Sequence, residues 1–110
     1  MYLQVFNGYS VGMAKITEAE ARERLRALPG WDLDGQAIRR KVTFAGFPEA
    51  TAFVVRLAFA AEAADHHPDI LVSYKRVTLT YTTHSAGGLT VKDFEGASQA
   101  GMLAESFGGK

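Results

Sequence analysis

What most constrains the fold of this 110-residue chain is the order of its hydrophobic periodicities, in which two strand pairs are set among three helices. The first strand pair opens with Trp31-Asp32-Leu33, and Asp34-Gly35 is a strong two-residue hairpin signal. The return strand runs from about Gln36 to Phe44. There Ile38, Val42 and Phe44 alternate with Arg39, Lys41 and Thr43, so one face is dry and the other wet. Arg40 breaks the alternation, which suits a strand near a sheet edge. The second pair is Ile70 to Tyr74, a turn near Lys75-Arg76, and Val77 to His84. Val77, Leu79 and Tyr81 share one face of that last strand; Thr78, Thr80, Thr82 and His84 share the other.

The helices carry their own signals. Ile16-Thr17-x-x-Glu20-Ala21 reads as a capping box with a hydrophobic staple, and Pro29-Gly30 stops the helix after Leu25 and Leu28. A second helix enters through Pro48, which its first turn tolerates, and runs to about Asp65. It is Ala-rich and apolar on most sides, through Phe53, Val54, Leu57, Phe59, Ala60, Ala61 and Ala64. Such a helix should be covered on more than one side, by a subunit contact as well as the core. Leu89-Thr90-x-x-Asp93-Phe94 repeats the staple and box. The third helix then carries Phe94, Ala97, Met102 and Leu103 toward Phe107, and Gly108-Gly109 ends it.

Strand pairs without a helical crossover between them pair antiparallel. Helices laid on one face of such a sheet give an α+β, two-layer fold. The chain is long enough for one core, and 47% hydrophobic residues supply the material. The expected domain spans residues 14–108. Residues 1–13 read as a poorly ordered extension; an extra strand through Leu3, Val5 and Phe6, and a working start at Met13, are the competing readings.

With no cysteine, the chain has no disulfide, thiolate catalysis or Cys-ligated metal. Twelve basic and twelve acidic residues argue against a broad nucleic-acid face. No apolar run approaches the ~20 residues of a membrane span, and the first residues do not read as a signal peptide, so a cytoplasmic location is the default expectation.

The candidate chemistry lies in three histidines. Glu62 and His66 stand four apart at the end of the second helix, and Pro68 takes His67 out of it. His66 thus sits at the negative end of a helix, near Asp65 and Glu62, where an imidazole can give and accept a proton near neutral pH. His84 lies at a strand end, and Asp93 follows in the first turn of the next helix. Each has a plainer reading. Asp93 is an ordinary capping acid, His84 a surface residue, His66-His67 a solvated helix end, and the threonines a half-exposed sheet face.

Taken together, Glu62-x3-His66-His67-Pro68-x5-Tyr74-x9-His84-x8-Asp93 resembles the signature of the pterin-4a-carbinolamine dehydratase family. Gly30-Trp31 and the length resemble it too, and the likeness runs from Met13 to Phe107. The resemblance implies a four-stranded antiparallel sheet with three helices on one face. It implies dehydration of 4a-hydroxytetrahydropterins to quinonoid dihydropterins, recycling the cofactor of aromatic amino acid hydroxylases. Asp65-His66-His67 and Thr82-Thr83-His84 would contact the substrate. His66 and His84 would be the acid–base pair and His67 the orienting residue, with Glu62, Pro68 and Asp93 in support. Elimination of water moves no electrons, so no cofactor is expected beyond the pterin substrate itself. No metal is expected either, since the histidines lack an H-x-x-x-H spacing. Homodimers or homotetramers are implied, with no direct nucleic-acid or membrane partner. Ile70 stands where animal members carry Trp, and Ser85 where an acid is common, which bears on substrate preference. The alternative is an interaction protein of the same fold, a dimerisation cofactor or an assembly factor.

Overall fold

The computed structural model describes residues 14–110. The reading of residues 1–13 lies outside them. Four strands, β1 (Asp32–Asp34), β2 (Ala37–Thr43), β3 (Asp69–Ser73) and β4 (Arg76–Tyr81), form one sheet in the order β1-β2-β4-β3. Every neighbouring pair is antiparallel. The register sets Leu33, Ile38 and Tyr81 in one cross-strand row, and Val42, Val77 and Val72 in another. Arg39, Thr80 and Asp69 form a row on the opposite face. Alternation along β4 therefore gives a dry face and a wet one, as the sequence implied.

Both hairpins close one residue away from the turns read in the sequence. Asp34 pairs with Ala37, so the first turn is Gly35-Gln36 rather than Asp34-Gly35. Gly35 has φ +61°, a left-handed conformation that its missing Cβ allows. Ser73 pairs with Arg76, so Tyr74-Lys75 closes the second. Arg40 shares the inner face with Ile38. β1 pairs with β2 only as far as Arg39, so the side chain of Arg40 passes the end of β1. It lies against Gly30 and Gly101, where an added Cβ would come within 2.9 and 3.3 Å of its guanidinium nitrogens.

The helices are α1 (Glu18–Leu25), α2 (Phe47–Ala64) and α3 (Val91–Ser106). They complete the α+β two-layer architecture by packing on the dry face. Thr17 caps α1 by accepting from the Glu20 amide at 3.2 Å. The other half of that capping box is absent, because the Glu20 carboxylate turns to Arg24 at 3.0 Å. On α2, Ala50, Phe53, Leu57, Ala60 and Ala61 are buried, at the three- and four-residue spacing of one helical face. Phe53 packs on Phe44 with ring centroids 5.1 Å apart. Burying a side chain of that size stabilises the fold by about 1.5–3 kcal/mol.

Among the described residues α2 is covered on one side only. Phe59, read as core or interface, is 71% exposed, and Val55 is 53% exposed. Met102 also departs from its expected place and is exposed. The buried stripe of α3 runs through Phe94, Ala97, Ala100 and Ala104, and Met102 falls on the far side of it.

Candidate active site

The site begins where α2 stops. Asp65 takes φ 52°, ψ 41°. The His66 amide then donates to the Ala61 carbonyl, and the Asp65 amide to that of Glu62, both at 3.1 Å. This is a Schellman ending with aspartate in the position glycine usually fills. It turns the chain sharply, so that His66 and His67 point to different partners. The sequence placed Glu62 beside His66. In the structure the Glu62 carboxylate instead meets His67 Nε2 at 2.8 Å. Both side chains are exposed, so that pair adds little stability. The buried Pro68 follows, before β3 begins at Asp69.

His66 turns inward to Asp93. Its Nε2 lies 2.6 Å from Asp93 Oδ1, and the aspartate is fully buried. The other oxygen of Asp93, Oδ2, accepts from the Thr83 hydroxyl at 2.8 Å and from the Thr90 amide at 2.9 Å. The second bond completes the capping box of α3. The His66 contact and the helix cap are thus made by two oxygens of one side chain. An ionised carboxylate only accepts hydrogen bonds, so Nε2 carries a hydrogen and Nδ1 remains to exchange protons. The Thr83 hydroxyl gives its single hydrogen to Asp93. The Thr90 hydroxyl, 2.9 Å away, therefore donates to Thr83.

His84 is not on the strand. β4 ends at Tyr81, and His84 opens a short 3-10 turn, His84–Ala86. The loop is fastened at its root. The Thr83 amide donates to the Gly88 carbonyl at 3.1 Å, and the Gly88 amide donates back at 3.3 Å. The Thr82 hydroxyl donates to the Gln36 carbonyl at 2.6 Å. Thr83, expected to contact substrate, is itself buried, with its hydroxyl, amide and carbonyl all engaged. The residue next to His84 thus binds the aspartate that binds His66. The His84 ring and the Asp65 carboxylate are exposed and have no side-chain partner among the described residues.

Three further residues shape the site without having been singled out for it: Tyr81, Gly96 and Thr90. The Tyr81 ring lies nearly parallel to His66, at 17° with centroids 6.0 Å apart, and packs on Trp31 at 5.8 Å. Burial, and then the Asp93 carboxylate, push the phenol up from 10.0 to about 12. Gly96 leaves room for it; a Cβ there would come within 2.6 Å of the ring. A glycine inside a helix costs about 1 kcal/mol relative to alanine and so signals a packing need. His66, Tyr81 and Gly96 border a cavity of about 240 Å³ between α2 and α3. Four larger depressions, among them one of about 280 Å³ around Arg40 and one of about 640 Å³ between α1 and α3, include no histidine in their walls. Among the described residues no three His, Asp or Glu side chains gather as metal ligands would, and no helix is long and apolar enough to cross a membrane.

The chain has relatives among known proteins. The family described as pterin 4 alpha carbinolamine dehydratase matches residues 14–102. A protein of Roseiflexus sp. (strain RS-1) named "Putative pterin-4-alpha-carbinolamine dehydratase" is 53% identical over 85 residues, covering 77% of this chain and 91% of its own. One of the same name from Chloroflexus aurantiacus (strain ATCC 29366 / DSM 635 / J-10-fl) is 54% identical over 82 residues, covering 74% and 88%. A crystal structure of a "transcriptional coactivator/pterin dehydratase" from Brucella melitensis superposes with a TM-score of 0.78 at 41% identity. It covers 82% of this chain and 98% of its own.

Proposed function

Since the chain belongs to the pterin 4 alpha carbinolamine dehydratase family, we propose that it removes water from 4a-hydroxytetrahydropterins to give quinonoid dihydropterins. The observation that carries the reading is the chain of bonds from His66 through Asp93 to Thr83. It fastens one histidine and the root of another's loop to the same buried acid.

The reaction asks for two proton movements. The hydroxyl at C4a leaves as water once a proton reaches it, the lone pair of N5 expels it, and N5 loses its own proton. His66 and His84 are the acid–base pair. Asp93 holds His66 by Nε2, so His66 trades protons through Nδ1 and its ring keeps one orientation. His67, tied to Glu62, orients the heterocycle, and Thr82 and Asp65 border it. Thr83 acts through Asp93 rather than on the substrate. Positioned acid–base groups contribute ~10²–10⁴-fold each. Formation of the quinonoid product, followed by absorbance, tests the reading. The chain should accelerate it, and His66→Ala or His84→Ala should lose most of the acceleration. A wild-type chain that leaves the spontaneous rate unchanged would refute it. No cofactor takes part in this scheme, and a cytoplasmic setting suits a soluble pterin.

The exposed apolar face of α2, with Val55 and Phe59, favours self-association into a homodimer or homotetramer. It also favours a second reading, an interaction protein of the same fold, in line with the coactivator in the Brucella melitensis protein's name. That reading gains if the wild-type chain proves inactive while the face still binds.

A further inference from the structure

His66 is held by Asp93 and His67 by Glu62, but the exposed ring of His84 has no side-chain partner among the described residues. Where that ring stands is therefore decided by the backbone beneath it. A reacting group misplaced by 1 Å can cost ~10²-fold in rate, so an acid–base histidine without a partner needs a fixed loop. Part of the fixing is internal. Within the Thr83–Gly88 bridge, the Ala86 amide donates to the Thr83 carbonyl at 3.0 Å and the Gly87 amide to that of His84 at 3.1 Å.

The rest comes from two segments remote in sequence. The Thr82 hydroxyl donates to the Gln36 carbonyl in the β1–β2 turn. The Ile16 amide donates to the Leu89 carbonyl at 2.7 Å, which brings Lys15 alongside the loop. Gly88, at the root of the loop, is buried. A Cβ on it would come within 2.6 Å of Gln36 Oε1, 2.8 Å of Lys15 Cε and 3.4 Å of Lys15 Cδ. Its backbone does not call for glycine, since the left-handed glycines are Gly30, Gly35, Gly87 and Gly108. Close approach does, because both side chains lie across the root where a methyl group would stand. Long exposed side chains ordinarily keep their rotamer freedom; here two of them converge on a residue with no side chain to fill the space. We propose that Gln36 is a positioning residue for His84: its side chain, beside the stem of Lys15, clips the root of the His84 loop over Gly88 and so sets where the ring stands. The assignment rests on the dehydratase reading and adds to it a residue that acts only through the loop.

Gln36→Ala and Gly88→Ala test the clip from its two sides. The methyl added at 88 meets only flexible side-chain atoms, so that variant keeps the fold and displaces the clip alone. Each change should lower kcat on the order of tenfold, less than a full 1 Å misplacement costs, and leave KM within about twofold. The two together should be no worse than either alone, because they remove one contact. Gln36→Met, which keeps the length of the side chain, should restore most of kcat. Hydrogen exchange at the Thr83 and Gly88 amides makes the comparison without turnover. It should quicken about tenfold in Gln36→Ala while the amides of β4 stay as they are. A kcat within about twofold of wild type in Gln36→Ala, additive losses in the double variant, no rescue by Gln36→Met, or unchanged exchange overturns the clip and leaves the dehydratase reading intact. A wild type without turnover refutes the dehydratase reading instead. The exchange rates of Gln36→Ala then decide the clip, faster exchange supporting it and unchanged exchange overturning it.

Discussion

Replacing Asp93 by asparagine should separate its two tasks. The amide oxygen can stand where Oδ2 stands and go on accepting from Thr83 and from the Thr90 amide. The amide nitrogen must then stand where Oδ1 meets His66 Nε2 at 2.6 Å. Two donors cannot share that contact, so the ring has to move its hydrogen to Nδ1, the nitrogen assigned to proton exchange. The stability change is modest. A hydrogen bond to a charged group is worth about 1.5–3 kcal/mol, and a neutral one that replaces it returns about 1, leaving a loss of about 0.5–2 kcal/mol. The loss of activity should be far larger. Reversing the tautomer by the same Asp→Asn change in the serine protease triad lowers kcat by about 10⁴-fold, and a fall on the order of 10²-fold or more is expected here. Urea unfolding and the rate of quinonoid product formation, measured on one preparation, give both quantities. ¹⁵N NMR of the His66 ring reports the tautomer. A folded Asp93→Asn protein that retains kcat within about threefold would refute the assignment of His66 as an oriented acid–base group.

Other expectations follow from the same contacts. Thr83→Val removes a buried donor to Asp93 and should cost about 1–3 kcal/mol in urea unfolding, with kcat falling more than KM changes; an unchanged kcat would separate the His84 loop from the acid. Burial, and then the Asp93 carboxylate, push the Tyr81 phenol in the fold up to about 12 from the ordinary tyrosine value of 10.0 that the unfolded chain keeps. Between those values the folded chain binds more protons than the unfolded one. Stability should therefore be level below pH 10 and fall by about 3 kcal/mol in total toward pH 12, a loss that Tyr81→Phe should not share; parallel stability–pH curves for the two proteins would contradict this. Phe53→Ala empties a fully buried position and should cost about 3–5 kcal/mol in chemical denaturation. Phe59→Glu should leave the fold intact and lower the mass seen in sedimentation. An unchanged mass would remove the α2 face from any self-association.

The layers of the fold were legible because they rest on periodicity. Val77, Leu79 and Tyr81 on one face of β4 told which side the helices cover, and Thr90 with Asp93 marked the start of α3. What failed depended on single backbone conformations or on contacts between distant segments. The left-handed turn at Asp65 redirects Glu62 from His66 to His67, and nothing in Asp-His-His announces that an aspartate will fill a position usually given to glycine. The pairing of Tyr81 with His66 joins β4 to the loop after α2, a contact no local pattern encodes. Gly96 was the available hint, as a helix-interior glycine with no turn to explain it. Met102 was misplaced because apolar character alone does not fix a helical face; the small residues Ala97, Ala100 and Ala104 set the stripe.

Because the two oxygens of Asp93 serve different structures, selection cannot act on one without the other. A descendant that gave up turnover and kept only a binding role would still need the acid to start α3. Its retention in any relative is therefore poor evidence of enzymatic activity. Under the dehydratase reading, the position free to drift once chemistry is abandoned is His84, whose exposed ring has no side-chain partner among the described residues, and its loss would be the earlier sign that a lineage had changed occupation.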